Sequence, residues 1–211
     1  MKIKTELINL NHVNGADELL FDYTSQLLTE FPDEHLYGCE MGIAYGGGVE
    51  GIASMWGERG SVWGFDVFEE LHPKHLADDP TSFDATCMDY WYGSPDYGKE
   101  RLALEYQQKI IDGLGLKNLT LVKGEVNKDS CEDIPKLHYA FLDMDIPFSM
   151  KQGYSAVRDK IVKGGYLFLH DTQNIPGVGD WMREEVTGRD TKMWEQVGEW
   201  GYAMLIGFRR K

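Results

Sequence analysis

Three aspartates and a histidine fall in two short runs, Asp143-Met144-Asp145 and His170-Asp171, each at the end of an apolar stretch. Carboxylates that converge without a cation repel and raise one another's pKa, whereas a hard divalent ion with oxygen ligands removes the conflict. Asp143, Asp145 and Asp171 therefore point to a Mg2+ site. Residues two apart in a strand share a face, which lets Asp143 and Asp145 reach one cleft if the strand runs that far. Pleating sends His170 and Asp171 in opposite directions unless the strand has already ended, so His170 is either a further metal ligand or a hydrogen-bonded core histidine. Taken singly, any of the acids could equally be a helix cap or a solvated loop residue.

A second constellation lies earlier in the chain. Glu40-Met41-Gly42 leads into Tyr45-Gly46-Gly47-Gly48, and Asp66 ends the next apolar run. Glycines let a ligand approach backbone N–H groups, and an acid at the end of the neighbouring strand can accept two hydrogen bonds from a ribose diol. The spacing is not that of a dinucleotide fingerprint, and a carboxylate at Glu40 suits a pyrophosphate poorly because like charges repel. A cationic nucleoside cofactor, S-adenosylmethionine, suits it better, and a third apolar run ends at Gly124-Glu125. The bland alternative is a tight strand-to-helix turn with no ligand. His72 and His75, with Pro73 between them, and the acids of 78–89 read as loop residues without zinc or EF-hand spacing. Tyr90, Trp91, Tyr92 and Tyr97 could stack on a planar or sugar substrate, or simply pack a lid against its domain.

The elements that must position these residues follow from periodicity. Residues 16–31 have the 3.6-residue repeat of an amphipathic helix. Apolar runs at 36–44, 61–67, 119–126, 136–145 and 164–172 read as buried strands, with helices beginning at the glycine run and spanning 99–116, 149–162 and 177–186. The last twenty residues read as two strands around a turn near Gly198 to Gly201. Strand–helix alternation followed by a hairpin predicts an α/β fold, a doubly wound, mostly parallel, Rossmann-like sheet with an antiparallel C-terminal addition. In such a sheet ligands bind outside the carboxyl ends of the strands, where both constellations fall. The stretch 68–98 lacks clean periodicity and is long enough to predict a functional lid or substrate loop.

Composition narrows the partners. The chain has 211 residues, the size of one α/β domain, and 21 basic against 35 acidic residues, a formal charge of −14. That balance repels a phosphate backbone and an anionic membrane surface, so neither nucleic acid nor membrane is an expected partner. No stretch reaches the length of a membrane span, and the start has no apolar signal core. Cys39, Cys87 and Cys131 are widely spaced and form no CxxC, which fits a reducing cytoplasm.

With these residues in hand, the chain resembles the macrocin O-methyltransferase (TylF-like) family of class I S-adenosylmethionine-dependent methyltransferases. The likeness spans roughly 36–186 and rests on CEMGIAYGGG, VWGFDVFEELHPKHLADD, ERLALEYQQKIIDGLGL, LTLVKGEV, FLDMDIPFSMKQGY and GGYLFLHD in that order. It implies Mg2+ at Asp143 and Asp171, Asp145 as general base, and S-adenosylmethionine held by Glu40, Gly42, Tyr45, Gly46, Gly47, Asp66 and Glu125. The family usually carries two acids where this chain has His170-Asp171, and an acidic D-x-Y-E-S-T run where it has Asp145-Ile146-Pro147-Phe148-Ser149-Met150. The expected activity is Mg2+-assisted methylation of a hydroxyl on a small molecule, for example a sugar of a glycosylated metabolite or polysaccharide, with a homo-oligomer left open. The rivals are another metal-assisted reaction, such as hydroxylation, on the same fold, and a non-catalytic cofactor-binding protein.

Overall fold

Apolar runs covered on both faces become central parallel strands, and β4 (Leu137–Leu142) shows this most fully, being buried along its whole length. The computed structural model describes residues 16–68 and 102–211. The expected lid at 68–98, with His72, His75 and the aromatic run, lies outside the described residues except for Phe68.

The helices are α1 (Ala16–Glu30), α2 (Gly47–Trp56), α3 (Leu104–Leu114), α4 (Pro147–Val157) and α5 (Pro176–Met182), the last continuing as a π-helix over Arg183–Arg189. The remaining strands are β1 (Leu36–Met41), β2 (Gly60–Asp66), β3 (Leu119–Lys123), β5 (Ile161–His170), β6 (Trp194–Trp200) and β7 (Leu205–Arg210). They form a seven-stranded sheet in the order β3-β2-β1-β4-β5-β7-β6. The first five strands of that order are parallel, while β7 runs antiparallel to both β5 and β6. Strand order reverses between β1 and β4, which opens a crevice at their carboxyl ends.

Side-chain alternation sorts the core into two layers. Tyr139, Phe141, Tyr166 and Phe168 pack with Leu20 and Leu27 of α1, Val49 and Ile52 of α2 and Ile111 of α3. Ala140, Leu142, Leu167 and Leu169 pack on the other face with Met150, Tyr154 and Val157 of α4 and Val178 and Trp181 of α5. Helices thus cover both faces, and the predicted doubly wound sheet with an antiparallel C-terminal addition is the fold observed.

Several boundaries differ from the periodicity reading, for local reasons. β1 stops at Met41 because Gly42 turns the chain at φ +84, and β3 stops at Lys123 because Gly124 turns at φ +127 and donates its N–H to the Asp66 carbonyl. β4 ends at Leu142, so Asp143 and Asp145 lie beyond the strand rather than on one of its faces. α4 begins at Pro147, whose fixed φ suits a first helical turn. The turn expected near Gly198 to Gly201 lies at the far end of that range, over Gly201–Ala203. Gly198 lies inside β6 at a register shift, where the Trp200 indole covers the space a side chain would need.

Candidate active site

The carboxyl ends of β1 and β4 meet at a single close contact. A Cβ on Gly42 would lie 1.8 Å from the Asp143 carbonyl oxygen, and φ of +84 independently favours glycine there. The Gly42 N–H donates to the Phe65 carbonyl and the Asp143 N–H to the Met41 carbonyl, each at 2.8 Å, so the turn is tied to strands on both sides. Beyond it, the Ala44 N–H donates to Asp66 Oδ2 at 3.0 Å and the Phe68 N–H to Asp66 Oδ1 at 2.9 Å. Asp66 is thus at the glycine turn, as the sequence predicts, and it also fastens that turn to the end of β2. Burial pushes its pKa up, and the backbone N–H groups of Phe68, Ala44, Ile43 and Val67 hold it back. Glu125 follows Gly124 at the same edge of the sheet and is exposed; Tyr45 is half-buried.

The turn faces more buried acid than the sequence reading anticipated. Glu40 is 3% exposed and accepts a hydrogen bond from the Tyr139 hydroxyl at 3.1 Å. Burial, then the Asp17 charge, push its pKa up to about 8. A Cβ on Gly48 would lie 2.9 Å from one Glu40 oxygen and 3.3 Å from Asp17 Oδ1, so only glycine leaves room for both carboxylates at the start of α2. Glu50, four residues on from Gly46, is also buried, and that burial lifts its pKa to about 8. Asp17 and Glu50 were missed as site residues. The available signal was that Glu50 is the sole charge in GGVEGIASMW, a helix otherwise of small and apolar residues. Gln107 of α3 completes the rim, its amide donating to the Ala44 carbonyl at 3.3 Å.

A buried acid of this kind gives stability a defined pH dependence. Glu50 releases its proton near pH 4.5 when unfolded and near pH 8 when folded. Between those values the unfolded chain binds fewer protons than the folded one, so stability falls as pH rises from about 4.5 to about 8 and is level above. Glu50→Gln cannot ionise, and its Tm is expected to exceed that of the wild type at pH 8 by at least about 2 °C, the lower end of what 1 kcal/mol makes in a chain of this size. The gap should close at pH 5. Thermal unfolding at the two pH values checks this, and an equal gap at both would show that Glu50 is ionised throughout.

The second acid group assembles where β4 and β5 end. His170 Nδ1 lies 2.9 Å from Asp143 Oδ1 and 3.2 Å from Asp171 Oδ2. One ligand atom from each of Asp143, His170 and Asp171 lies within 4.8 Å of the others, a grouping found among the described residues that could hold a metal ion. Backbone conformation explains how neighbours in sequence reach one point. Asp171 has φ +56, which ends the pleat and turns its side chain back toward that of His170. Asp145, at φ +57, is the middle residue of a three-residue turn closed by the Ile146 N–H and the Met144 carbonyl at 2.5 Å. Asp143 and Asp145 do reach one cleft, through this turn and not through the strand pleat invoked for them. Left-handed non-glycine residues cost of order 1 to 3 kcal/mol each and persist where surrounding structure enforces them, often at functional sites.

Charge in this cluster is coupled. Burial, then repulsion from Asp143 and Asp171, pushes the Asp145 carboxyl well above its ordinary range, and the protonated group donates to Asp171. Burial disfavours the His170 cation, but the Asp143 and Asp171 carboxylates outweigh it and lift its pKa to about 11. Without an ion, the His170 imidazolium is the cation that faces the three acids among the described residues. The donor set of two carboxylates and an imidazole fits a divalent ion, whose charge relieves the same conflict.

No protein-family model and no curated protein matches the chain. Solved structures do. The O-methyltransferase NovP superposes with a TM-score of 0.71 at 15% identity, over 92% of this chain and 79% of NovP. The chain has the methyltransferase fold. CalS11, the calicheamicin methyltransferase also described as a TDP-rhamnose 3'-O-methyltransferase, superposes at 0.62 with 17% identity, over 97% of this chain and 78% of its own. SMU.1697c, a putative methyltransferase from Streptococcus mutans solved in complex with SAH, superposes at 0.60 with 13% identity, over 92% and 97%. Strand order puts the glycine turn after β1, Asp66 at the end of β2 and Glu125 beyond β3 on one side of the switch point, and Asp143 and Asp145 after β4 with His170 and Asp171 at the end of β5 on the other.

Proposed function

We propose that this protein is an S-adenosylmethionine-dependent, divalent-metal-assisted O-methyltransferase acting on a hydroxyl of a small molecule, with a sugar as the favoured acceptor class. The observation that carries this reading is the position of Asp143. Its carbonyl oxygen abuts the glycine turn at Gly42 while its carboxylate joins His170 and Asp171, so one residue makes a nucleoside-type turn and a metal-type cluster adjacent. Glu40 and Glu50, held protonated by burial, would ionise readily beside a cationic ligand end, and an anionic pyrophosphate would oppose that ionisation. Similarity to NovP and CalS11 supports hydroxyl methylation, and the net charge of −14 argues against a nucleic-acid acceptor. Among the described residues no helix is long and apolar enough to cross a membrane, and Cys39 and Cys131 are buried free thiols, in keeping with a cytoplasmic setting.

When bound, S-adenosylmethionine supplies an electrophilic methyl group and the divalent ion supplies Lewis acidity at the acceptor hydroxyl. The chain's own part is positional and acid–base. The turn from Gly42 to Gly47, with Tyr45 at its rim, and the acids beneath it would hold the cationic end of the cofactor, with Asp66 at its diol and Glu125 beside its adenine. Asp143, His170 and Asp171 would hold the ion. Asp145 would accept the proton of the acceptor hydroxyl. Neutralising Asp143 and Asp171 would remove their repulsion and release the Asp145 proton, while burial, which persists, keeps it a stronger base than a solvated carboxylate.

A thermal-shift titration with S-adenosylmethionine, S-adenosylhomocysteine and NAD tests the cofactor. At one hundred times the dissociation constant, binding is expected to stabilise the fold by about 2.7 kcal/mol. A shift with NAD and none with either sulfur ligand would overturn the assignment. Transfer of labelled methyl to a panel of hydroxylated acceptors then tests the reaction and separates it from hydroxylation or bare cofactor binding.

A further inference from the structure

We infer that His170 is a direct metal ligand through Nδ1, and that it makes this site select a first-row transition ion over Mg2+. The inference rests on the divalent-ion role and ligand set proposed above and goes beyond them to the donor atom of His170 and the metal chosen. Two ligands about 2.1 Å from one octahedral ion sit about 3.0 Å apart along an edge of the octahedron. His170 Nδ1 stands 2.9 Å from Asp143 Oδ1 and 3.2 Å from Asp171 Oδ2, so the imidazole nitrogen has the spacing of an adjacent ligand to each carboxylate, and one ligand atom from each of the three residues lies within 4.8 Å of the others.

The ring is built into position. His170 is 8% exposed, it is the last residue of β5, and its neighbour Phe141 meets the imidazole edge-on, with centroids 6.2 Å apart and planes at 88°. The chain then turns at Asp171 so that the following carboxylate comes back to the same point. A histidine held only for packing would not need the next residue in a left-handed conformation to bring a second acid onto its Nδ1.

Ligand chemistry supplies the selectivity. Mg2+ demands oxygen donors and gives up its waters reluctantly, whereas imidazole suits Fe2+, Co2+ and Zn2+, and the mixed set of two carboxylates and one imidazole accepts Mn2+ readily. A site with oxygen in all three positions would discriminate less. The same spacing also serves an imidazolium bonded to two carboxylates with no ion, and the experiment must tell the two apart.

The probes are Mn2+, Co2+ and Mg2+ added singly to the purified protein, with affinities by calorimetry and the environment of Mn2+ by pulsed electron paramagnetic resonance. Wild type is expected to show nitrogen coupling to Mn2+. His170→Asn, which offers an amide oxygen of similar reach, is expected to lose that coupling and to lower the Co2+-to-Mg2+ affinity ratio by about tenfold or more. His170→Asp serves as the second variant. Mn2+ bound without nitrogen coupling in the wild type, or a ratio unchanged in both variants, would overturn His170 as a ligand while leaving the metal role standing. Failure of all three ions to bind the wild type at millimolar concentration would overturn the metal role itself, leaving His170 as an ion-pair partner of the two acids.

Discussion

Replacing Asp145 with asparagine is expected to lower turnover by about 10² to 10⁴, the usual cost of losing a general base. The substitution is well suited to the question. Asparagine matches aspartate in size and is among the residues that tolerate a left-handed backbone, so the turn at φ +57 should survive. What is lost is the basic site. A purely structural role for Asp145, capping α4, is not what the structure shows. The residue before the helix is Ile146, no side chain caps it, and Pro147 begins it, while the Asp145 side chain turns instead to Asp171. Turnover measured together with cofactor and metal affinities checks the expectation: the rate should fall with both affinities little changed. Near-wild-type turnover would remove Asp145 from the mechanism.

Asp143→Asn is expected to abolish activity by a different route, through loss of the divalent ion. The variant removes the charge nearest His170 and one of the three ligand atoms, so calorimetry with Mg2+ or Mn2+ should show binding weakened by at least about tenfold. Cofactor affinity should persist, because it is the backbone carbonyl of Asp143, not its carboxylate, that shapes the turn at Gly42. Separate measurement of the two affinities therefore distinguishes a lost metal ligand from a collapsed crevice. Full activity of the wild type in excess chelator would refute the metal role outright.

Much of this arrangement is legible in the sequence because period and punctuation agree over long stretches. Runs such as LHYAFL and GGYLFLH are apolar, short and bounded by charged or turn residues, the mark of strands buried on both faces, and the acids at their ends mark where a ligand can approach. Legibility ends where tertiary contacts set the backbone. Apolar periodicity continues through Met144, so nothing local says that β4 stops at Leu142 or that Asp145 turns left-handed. Both follow from β4 meeting the turn of β1 at Gly42, a contact between segments distant in sequence. Asp17 and Glu50 were hidden for a related reason: an acid in the first turns of a helix ordinarily reads as a favourable dipole partner facing solvent, and only the packing of α1 and α2 on the sheet buries these two. His170 sits between the cases: the sequence leaves it as ligand or core residue, and the structure buries it at the end of β5 with Nδ1 facing Asp143 and Asp171.

The contact between Gly42 and Asp143 also bears on how the molecule is made. Strands β1 and β4 are neighbours at the centre of the sheet, yet Tyr37 and His138, hydrogen-bonded across them, are 101 positions apart. Chain entropy must be spent on closing that long loop before the central pairing can reward it, so folding is expected to be slow for a domain of this size. A nascent chain that has emerged only through β2 holds the glycine turn and Asp66 in sequence, but not the carbonyl that shapes the turn. The cofactor crevice and the metal ligands should therefore mature together, in one late step, when β4 enters between β1 and β5.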